Sequence, residues 1–263
     1  MNPMIKEKKI SNRNKFFDKI IKSPERSQHV LTMFSEIAPR YDVMNRIMSL
    51  GLDLYWRRLA IKKANFNKGS SILDIGIGTG DMAREVIRQI SDTNVVGLDN
   101  CPELVKWGQS KKAIKSVKWT IGDGRQLPFS DNSVDGVVAA FSIRNIPDLS
   151  FVFSEIYRVI APGGKIVILD MVKPNSYLFN KIFKFYFKYI IPKLGKLVGS
   201  DPEAYTYLLP SIEHFYSSRE LQNKLQSLGC SKIFTRDLMF QTVTICIYAK
   251  DKVNIVTDRR CCF

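Results

Sequence analysis

The chain has 263 residues, 45% of them hydrophobic, with 40 Lys and Arg against 25 Asp and Glu, a formal charge of +15 and a pI near 9.6. Length and apolar content exclude a disordered chain and favour one domain with attached segments. No run reaches the roughly eighteen apolar residues of a membrane-spanning helix, and the charged N-terminus lacks the apolar centre of a secretory signal. The cation excess admits a nucleic-acid partner, an anionic membrane surface, or a basic solvated exterior. Cys101, Cys230, Cys246, Cys261 and Cys262 lack metal-ligand spacing. Their odd number points to reduced thiols in a cytoplasmic protein, with no metal site.

In chain order, residues 1–28 read as a basic, flexible arm with one apolar knot at Phe16, Phe17, Ile20 and Ile21. A single domain is expected over 29–250, opening with a helical cap over 29–68. In that cap Val30, Met33, Phe34 and Ile37 recur at helical spacing, and a basic amphipathic helix runs from Tyr55 to Ala64. Strands and helices then alternate. Ser71–Asp74, Asn94–Asp99, Val117–Asp123, Val134–Phe141 and Lys165–Asp170 read as strands. Helices follow Asp81 and Pro102 and span Phe151–Ile160. This rhythm predicts an α/β fold built on a parallel sheet. Residues 176–218 interrupt it as an insertion. A helix over Glu220–Leu228, a stop at Gly229 and a β-rich run over Thr242–Ala249 close the domain, and 251–263 reads as a disordered tail.

The densest chemistry lies where the first strand ends, at Asp74-Ile75-Gly76-Ile77-Gly78-Thr79-Gly80-Asp81. A strand, a glycine turn and a helix let a nucleotide-like cofactor lie against backbone atoms. Asp74, Asp99 and Asp123 end three successive strands, so all three stand on one edge of the sheet. Asp99 is placed for two ribose hydroxyls, and Asp123 with Gly124 for an adenine edge. Asp74 and Asp81 flank the loop where a ligand ammonium would sit. An acid at the helix start disfavours the pyrophosphate of a dinucleotide. The pattern therefore points to S-adenosylmethionine, which has no phosphate and carries a sulfonium and an ammonium.

Several stretches resemble the demethylmenaquinone and ubiquinone-biosynthesis C-methyltransferases, a branch of the class I S-adenosylmethionine-dependent methyltransferases. They are Met33 to Asn45 (with Ala38-Pro39-Arg40-Tyr41-Asp42), Gly78-Thr79-Gly80-Asp81, Leu127-Pro128-Phe129, Phe141-Ser142-Ile143-Arg144-Asn145, Tyr157-Arg158-Val159 with Pro162-Gly163-Gly164, and Tyr205-Thr206-Tyr207-Leu208. The resemblance implies a Rossmann-like seven-stranded sheet with the last strand antiparallel. It also implies methyl transfer to a ring carbon of a prenylated quinol. Cofactor contacts then fall on Thr79, Asp99, Asp123 and Gly124, beside Asp74, Gly76, Gly78 and Gly80 of the loop. The chain departs from the family at Ala140, where a Ser is usual, and in its C-terminal ending.

Carbon methylation needs electron density on the ring, hence loss of a hydroxyl proton. Arg144 is the candidate to stabilise the developing phenolate or to order a proton-accepting water, and Asn145 to orient the ring oxygens. Tyr41, Asp201 and Tyr205 are further candidates from flanking segments, whereas His214 in a polar connector reads as incidental. Residues 176–198 interleave aromatics with Lys181, Lys184, Lys188, Lys193 and Lys196. That pattern fits either a core helix or a face resting on an anionic membrane, where a prenyl tail would reside. A homodimer is among the expected assemblies. Two rival readings remain: a methyltransferase acting on RNA, and a methyltransferase-like protein without turnover.

Overall fold

The computed structural model describes residues 25–174, 181, 184–197 and 207–252. The expectations for residues 1–24, Tyr177, Phe179, Asp201, Tyr205 and the tail beyond Lys252 lie outside the described residues.

Seven strands form one sheet: β1 Ser71–Ile75, β2 Asn94–Asp99, β3 Lys118–Ile121, β4 Val134–Ala140, β5 Ile160–Met171, β6 Cys230–Leu238 and β7 Val243–Lys250. Their order is β3-β2-β1-β4-β5-β7-β6. Strands β1 to β5 pair in parallel, and β7 runs antiparallel to both β5 and β6. This is the sheet that the resemblance implied.

Alternation of side chains along the central strands feeds two cores. Leu73, Ile75, Val137, Ala139, Ile166, Ile168, Cys246 and Tyr248 point to one face. There they meet Val152, Phe153 and Ile156 of α6 (Leu149–Val159) and Leu221 and Leu225 of α9 (Ser218–Ser227). Ile72, Val138, Ala140, Val167, Leu169, Ile245 and Ile247 point to the other. They meet Ala60 and Ile61 of α3 (Leu52–Ala64) and Met82, Ala83 and Val86 of α4 (Asp81–Gln89), and α5 (Pro102–Gln109) follows β2. A sheet covered on both faces reads as near-continuous apolar runs, which is why β1, β4 and β5 are legible in the sequence.

The cap consists of α1 Arg26–Ile37, a 3-10 turn at Ala38–Arg40, α2 Tyr41–Met48 and α3. Helix α1 begins at Arg26, so the last described residues of the expected arm belong to the cap. Helix α3 begins at Leu52, a turn earlier than its apolar pattern suggested. Beyond β5, a π turn at Tyr186–Ile190 runs into α7 Ile191–Leu197, and α8 spans Leu208–Glu213. Phe187, Ile191, Leu208 and Ile212 pack with Met44 of α2 into a separate small core. The insertion therefore docks on the cap, with Met171 at the end of β5 also packed against it.

Strand boundaries differ at two places. The third strand stops at Ile121, leaving Asp123 in the following loop. The fifth begins at Ile160, not Lys165: Ile160 pairs with Val134 and Lys165 with Gly136, so Ala161–Gly164 bulges out between them. Gly163 takes φ +81 in that bulge. Between β1 and β4 the strand order reverses, β2 and β3 lying to one side and β5, β7 and β6 to the other. In open α/β sheets the cleft beyond such a switch point is where ligands bind.

Candidate active site

The glycine loop leaves β1 and folds back along β2. Gly76 and Ile77 donate their N–H groups to the Leu98 carbonyl at 2.7 and 3.1 Å. Gly76 takes φ +65, and a Cβ there would lie 2.3 Å from that of Ser142, so no other residue fits without displacing the β4 loop. Gly80, at φ +86, starts α4, where a Cβ would strike Ile114. Gly80 thus faces the protein interior and shapes the loop rather than a ligand.

Across the switch point the chain leaving β4 makes the opposing wall. Phe141 takes φ +61, an outlying conformation for a bulky residue and one that clusters at functional sites. Its carbonyl accepts from Arg144 Nη1 at 2.9 Å and, weakly, from Asn145 Nδ2 at 3.4 Å. Arg144 is buried. Its Nη1 also donates to Asp170 Oδ1 at 2.6 Å, its backbone N–H to Asp170 Oδ2 at 3.2 Å, and its Nε has no hydrogen-bond partner. From α1, Arg26 Nη2 reaches over to the Arg144 carbonyl at 2.7 Å.

Three adjoining cavities meet at Tyr41. The first is a groove lined by Gly76, Gly78, Asp99, Asp123, Gly124 and Asn145, roofed by Ser27, Val30 and Phe34 of α1. The second is apolar, walled by Met33, Met44, Met48, Trp56, Met171 and Phe187, with Arg144 and Asn145 among its few polar groups. Phe34, Tyr41, Phe141 and Asn145 border both. The third is small and lies beneath the loop, lined by Arg57, Asp74, Gly76, Thr79 and Asp81. Asp201 and Tyr205 lie outside the described residues. His214, whose Nδ1 sits 3.0 Å from the Pro210 carbonyl, borders none of the three.

The acids differ sharply in what holds them. Each oxygen of Asp99 accepts one backbone N–H, from Gly78 at 2.7 Å and from Cys101 at 2.9 Å. A carboxylate has about four acceptor sites, so capacity remains for two hydroxyl donors. Burial still pushes Asp99 above its ordinary value, against the pull of those N–H groups. Asp123 is half-buried and forks onto Arg125, whose guanidinium holds its carboxyl below the usual range. Asp74 is fully buried and its Oδ2 has no hydrogen-bond partner. Burial pushes its carboxyl up to about 8, although Arg57 and the Ala83 N–H pull downward.

Asp81 does not stand free for a ligand. Burial pushes it up, but Arg57, Arg46 and Lys111 outweigh burial and hold it below its ordinary value. Arg46 bonds both Asp81 and Asp53, and Arg57 bonds Asp53. The Thr79 hydroxyl donates to Asp42 of α2, and Lys111 bonds the other Asp42 oxygen. The cap is thus fastened to the glycine loop by ion pairs. Sequence reasoning missed Arg46, Asp53, Arg57 and Asp170. Of the four, only Asp170 carries a local signal, an acid at the end of an apolar strand like Asp74 and Asp99.

These residues fit S-adenosylmethionine. A buried carboxyl with one oxygen unpartnered suits its ammonium, and Asp99 has room for ribose hydroxyls. The glycine loop presents backbone with no side chain between. The protein model of the ubiE/COQ5 methyltransferase family matches residues 22–250. The chain belongs to that family. It is 39% identical over 226 residues to the ubiquinone/menaquinone biosynthesis C-methyltransferase UbiE of Geobacter sulfurreducens, covering 84% of this chain and 88% of that one. It is 37% identical over 207 residues to the demethylmenaquinone methyltransferase of Deinococcus radiodurans, covering 78% and 86%. Solved structures share the fold at low identity. A SAM-dependent methyltransferase from Aquifex aeolicus has a TM-score of 0.53 at 19% identity, over 75% of this chain and 90% of that one. The cyclase SpnF has a TM-score of 0.63 at 14% identity, over 86% and 96%. That a cyclase shares this fold means the reaction must be argued from the family and the site, not from the sheet.

Proposed function

We propose that the protein transfers a methyl group from S-adenosylmethionine to a ring carbon of a prenylated quinol, a naphthoquinol or the analogous benzoquinol. The observation that carries this reading is the apolar cavity beyond Phe141. It is large-walled and methionine-rich, and its few polar groups include a buried guanidinium and a half-buried amide beside the cofactor groove. Relatives named as demethylmenaquinone and ubiquinone/menaquinone methyltransferases support the same substrate class.

When bound, the cofactor supplies an electrophilic sulfonium methyl. The chain's part is to hold a flat, apolar ring facing it and to keep water away, which is catalysis by positioning. The methionines at 33, 44, 48 and 171 offer an adaptable apolar surface for the ring and the first part of its tail. Arg144 is fixed by Asp170 and the Phe141 carbonyl, with Nε left over to face a developing phenolate oxygen or a water that takes its proton. Asn145 borders both cavities and orients the ring oxygens. Tyr41 closes the wall between ring and cofactor. Burial raises its phenol, and Asn45, Arg57 and Arg144 pull the other way without restoring it, so Tyr41 stays protonated and can donate a hydrogen bond.

A polyprenyl tail stays in a bilayer, so the enzyme must meet one. Phe185 is 58% and Leu50 74% exposed, on segments that join at the Tyr186–Met48 contact, and Lys181, Lys184 and Lys193 stand exposed on the same insertion. An apolar and basic edge of this kind suits an anionic membrane surface. The deciding assay offers methyl-labelled S-adenosylmethionine with reduced membrane lipid extract and, separately, with total RNA. Label in the quinol fraction is expected. Label in RNA alone would replace this reading with the nucleic-acid one, and label in neither would leave a binding protein without turnover.

A further inference from the structure

We propose that the apolar cavity opens between the Leu50 turn and the β6–β7 hairpin, and that the acceptor's prenyl tail leaves through this mouth into a bilayer. Leu50 and Phe240 are its lipid-facing rim. The inference rests on the reading of the acceptor as a prenylated quinol and names the path of its tail.

The walls of the cavity differ in what lies behind them. On the α1 side Met33, Ile37 and Tyr207 are all buried, so the wall is closed. Phe141, Arg144 and Asn145 stand beside the cofactor groove, where the ring is held. From Phe141 the apolar lining continues to Trp56, ring centre to ring centre 6.4 Å, and on to Met171 and Met239. Here the wall ends at solvent. Phe240 follows Met239 in the chain and is 67% exposed, and Leu50 follows Ser49, another lining residue, and is 74% exposed. Among the described residues these are the two most exposed large apolar side chains. Apolar residues scattered singly over a surface need no explanation, but these two step out from one cavity.

Both side chains are held outward by backbone that bulky residues seldom adopt. Leu50 takes φ +54, and Met239, Phe240 and Gln241 take +46, +57 and +66. Left-handed backbone is unfavourable for such residues and concentrates where function demands it. Hydrogen bonds fix each turn. The Met239 carbonyl accepts the Thr242 hydroxyl at 2.6 Å and its N–H at 3.2 Å, and the Thr242 carbonyl accepts the Val172 N–H at 2.9 Å. In the other turn the Leu50 and Gly51 N–H groups donate to the Ile47 and Arg46 carbonyls at 3.2 and 2.7 Å. The insertion adds a third segment to the rim, since exposed Phe185 lies two residues before Phe187 of the cavity wall. The occupant follows from this surface. Methionines at 171 and 239 conform to a branched hydrocarbon chain, and Lys181 and Lys193 of the insertion suit anionic headgroups around the mouth.

The test has two readouts. In the first, Phe240→Trp and, as control, Phe151→Trp are mixed with anionic vesicles whose acyl chains carry bromine, which quenches tryptophan in contact with hydrocarbon. Phe151 is 63% exposed but borders none of the three cavities. Quenching beyond that of the wild type is expected for Phe240→Trp and not for Phe151→Trp. In the second, Leu50→Asn/Phe240→Asn is assayed with demethylated quinols bearing one isoprene unit or a long tail, the latter in vesicles. Asparagine tolerates left-handed backbone, so both turns persist. The ratio of kcat/KM for the long-tailed quinol to that for the short one should fall about tenfold or more, as expected on withdrawing two buried apolar side chains. Equal quenching of the two tryptophan variants, or an unchanged ratio, would overturn the proposal. So would a drop in molecular mass in the double variant, which would show a second copy of the chain covering the mouth. Quenching is read without turnover, so a wild type that methylates neither quinol would count against the acceptor and not against the mouth.

Discussion

Asp74 gives the site its sharpest dependence on pH. Its carboxyl stands at about 8 against an ordinary 3.8. Burial is the main cause. Asp99 from the end of β2 and Asp81 from the head of α4 add to it, while Arg57 from α3 and the Ala83 N–H oppose it. A value raised by folding means that the neutral form is favoured in the unliganded protein. That contribution to stability is complete below pH 3.8 and is lost as the pH rises through about 8. The cofactor's ammonium demands the ionised form. Binding should therefore release a proton near neutral pH, tighten as the pH approaches 8, and weaken again above it as the cofactor's own α-amino group, with an ordinary value of about 8, loses its proton. Calorimetry in buffers of different ionisation heat would measure that proton. Asp74→Asn should abolish it and weaken binding, and an unchanged proton count in the variant would mean that Asp74 does not face the cofactor's ammonium.

Arg144 calls for a gentler substitution than alanine. Deleting it leaves Asp170 buried without its cation, a loss of about 3–5 kcal/mol that would confuse folding with catalysis. Arg144→Lys keeps the charge beside Asp170 but loses the Nε donor. It should retain S-adenosylmethionine binding and lower quinol turnover by about a hundredfold or more, in the range for losing one preorganised donor. Unaltered turnover would make Arg144 a structural partner of Asp170. At this scale the sequence revealed acids at strand ends, because their position alone dictates where they point. It did not reveal Arg57, Arg46 or Asp53. Their roles come from pairing between α2, α3 and the loop, and helix spacing says nothing of such partners.

Among the elements, the glycine loop has the least tolerance. Gly76→Ala would set a Cβ at φ +65 and 2.3 Å from the Ser142 Cβ. Both the backbone and the β4 loop would have to move. A thermal melt should register a loss of more than about 1 kcal/mol, with cofactor affinity falling alongside. A melt like that of the wild type would mean that the Phe141–Asn145 wall is softer than its hydrogen bonds imply. Past the carboxyl end of β5, where Ser217 bridges to Lys173, Ser217 and Glu220 close a capping box at the start of α9. Ser217→Ala should cost about 1 kcal/mol by denaturant titration and leave methyl transfer intact.

Elements buried on both faces were the readable ones. Strands β1, β4 and β7 carry near-continuous apolar runs, and their expected limits fall within a residue or so of the observed ones. Strand β6, Cys230–Leu238, has no such pattern. It sits at the sheet edge, largely exposed, and pairs with β7 alone, so Lys232, Arg236 and Asp237 obscure it. The β5 boundary was misplaced because Pro162-Gly163-Gly164 reads as a terminator. In the fold it is a bulge inside a strand whose earlier residue, Ile160, is already paired.

At the scale of the whole molecule, charge and shape point the same way. Among the described residues no helix is long and apolar enough to cross a membrane. The net charge of +15 and the exposed apolar edge at Leu50, Leu52 and Phe185 suit a bilayer surface. Co-sedimentation with anionic vesicles should be strong at low salt and fall as salt rises, since exposed charges are screened beyond about 10 Å at 0.1 M. Binding to neutral vesicles as strong as to anionic ones would assign the contact to the apolar edge alone. The insertion shows why this part was hard to read: its aromatics divide, with Phe187 buried against the cap and Phe185 exposed, so no single helical face carries the pattern.

Carbon methylation of a quinol is the central claim, and the position of the transferred carbon tests it most directly. The protein would be supplied with S-adenosylmethionine labelled with carbon-13 in its methyl group and a reduced, demethylated prenyl naphthoquinol or benzoquinol in vesicles. The product would then be read by nuclear magnetic resonance, which distinguishes a ring methyl from a methoxy group. The label should appear as a methyl on a ring carbon of one of the two quinols. Label on oxygen, or no labelled quinol from protein that binds the cofactor, would contradict the account.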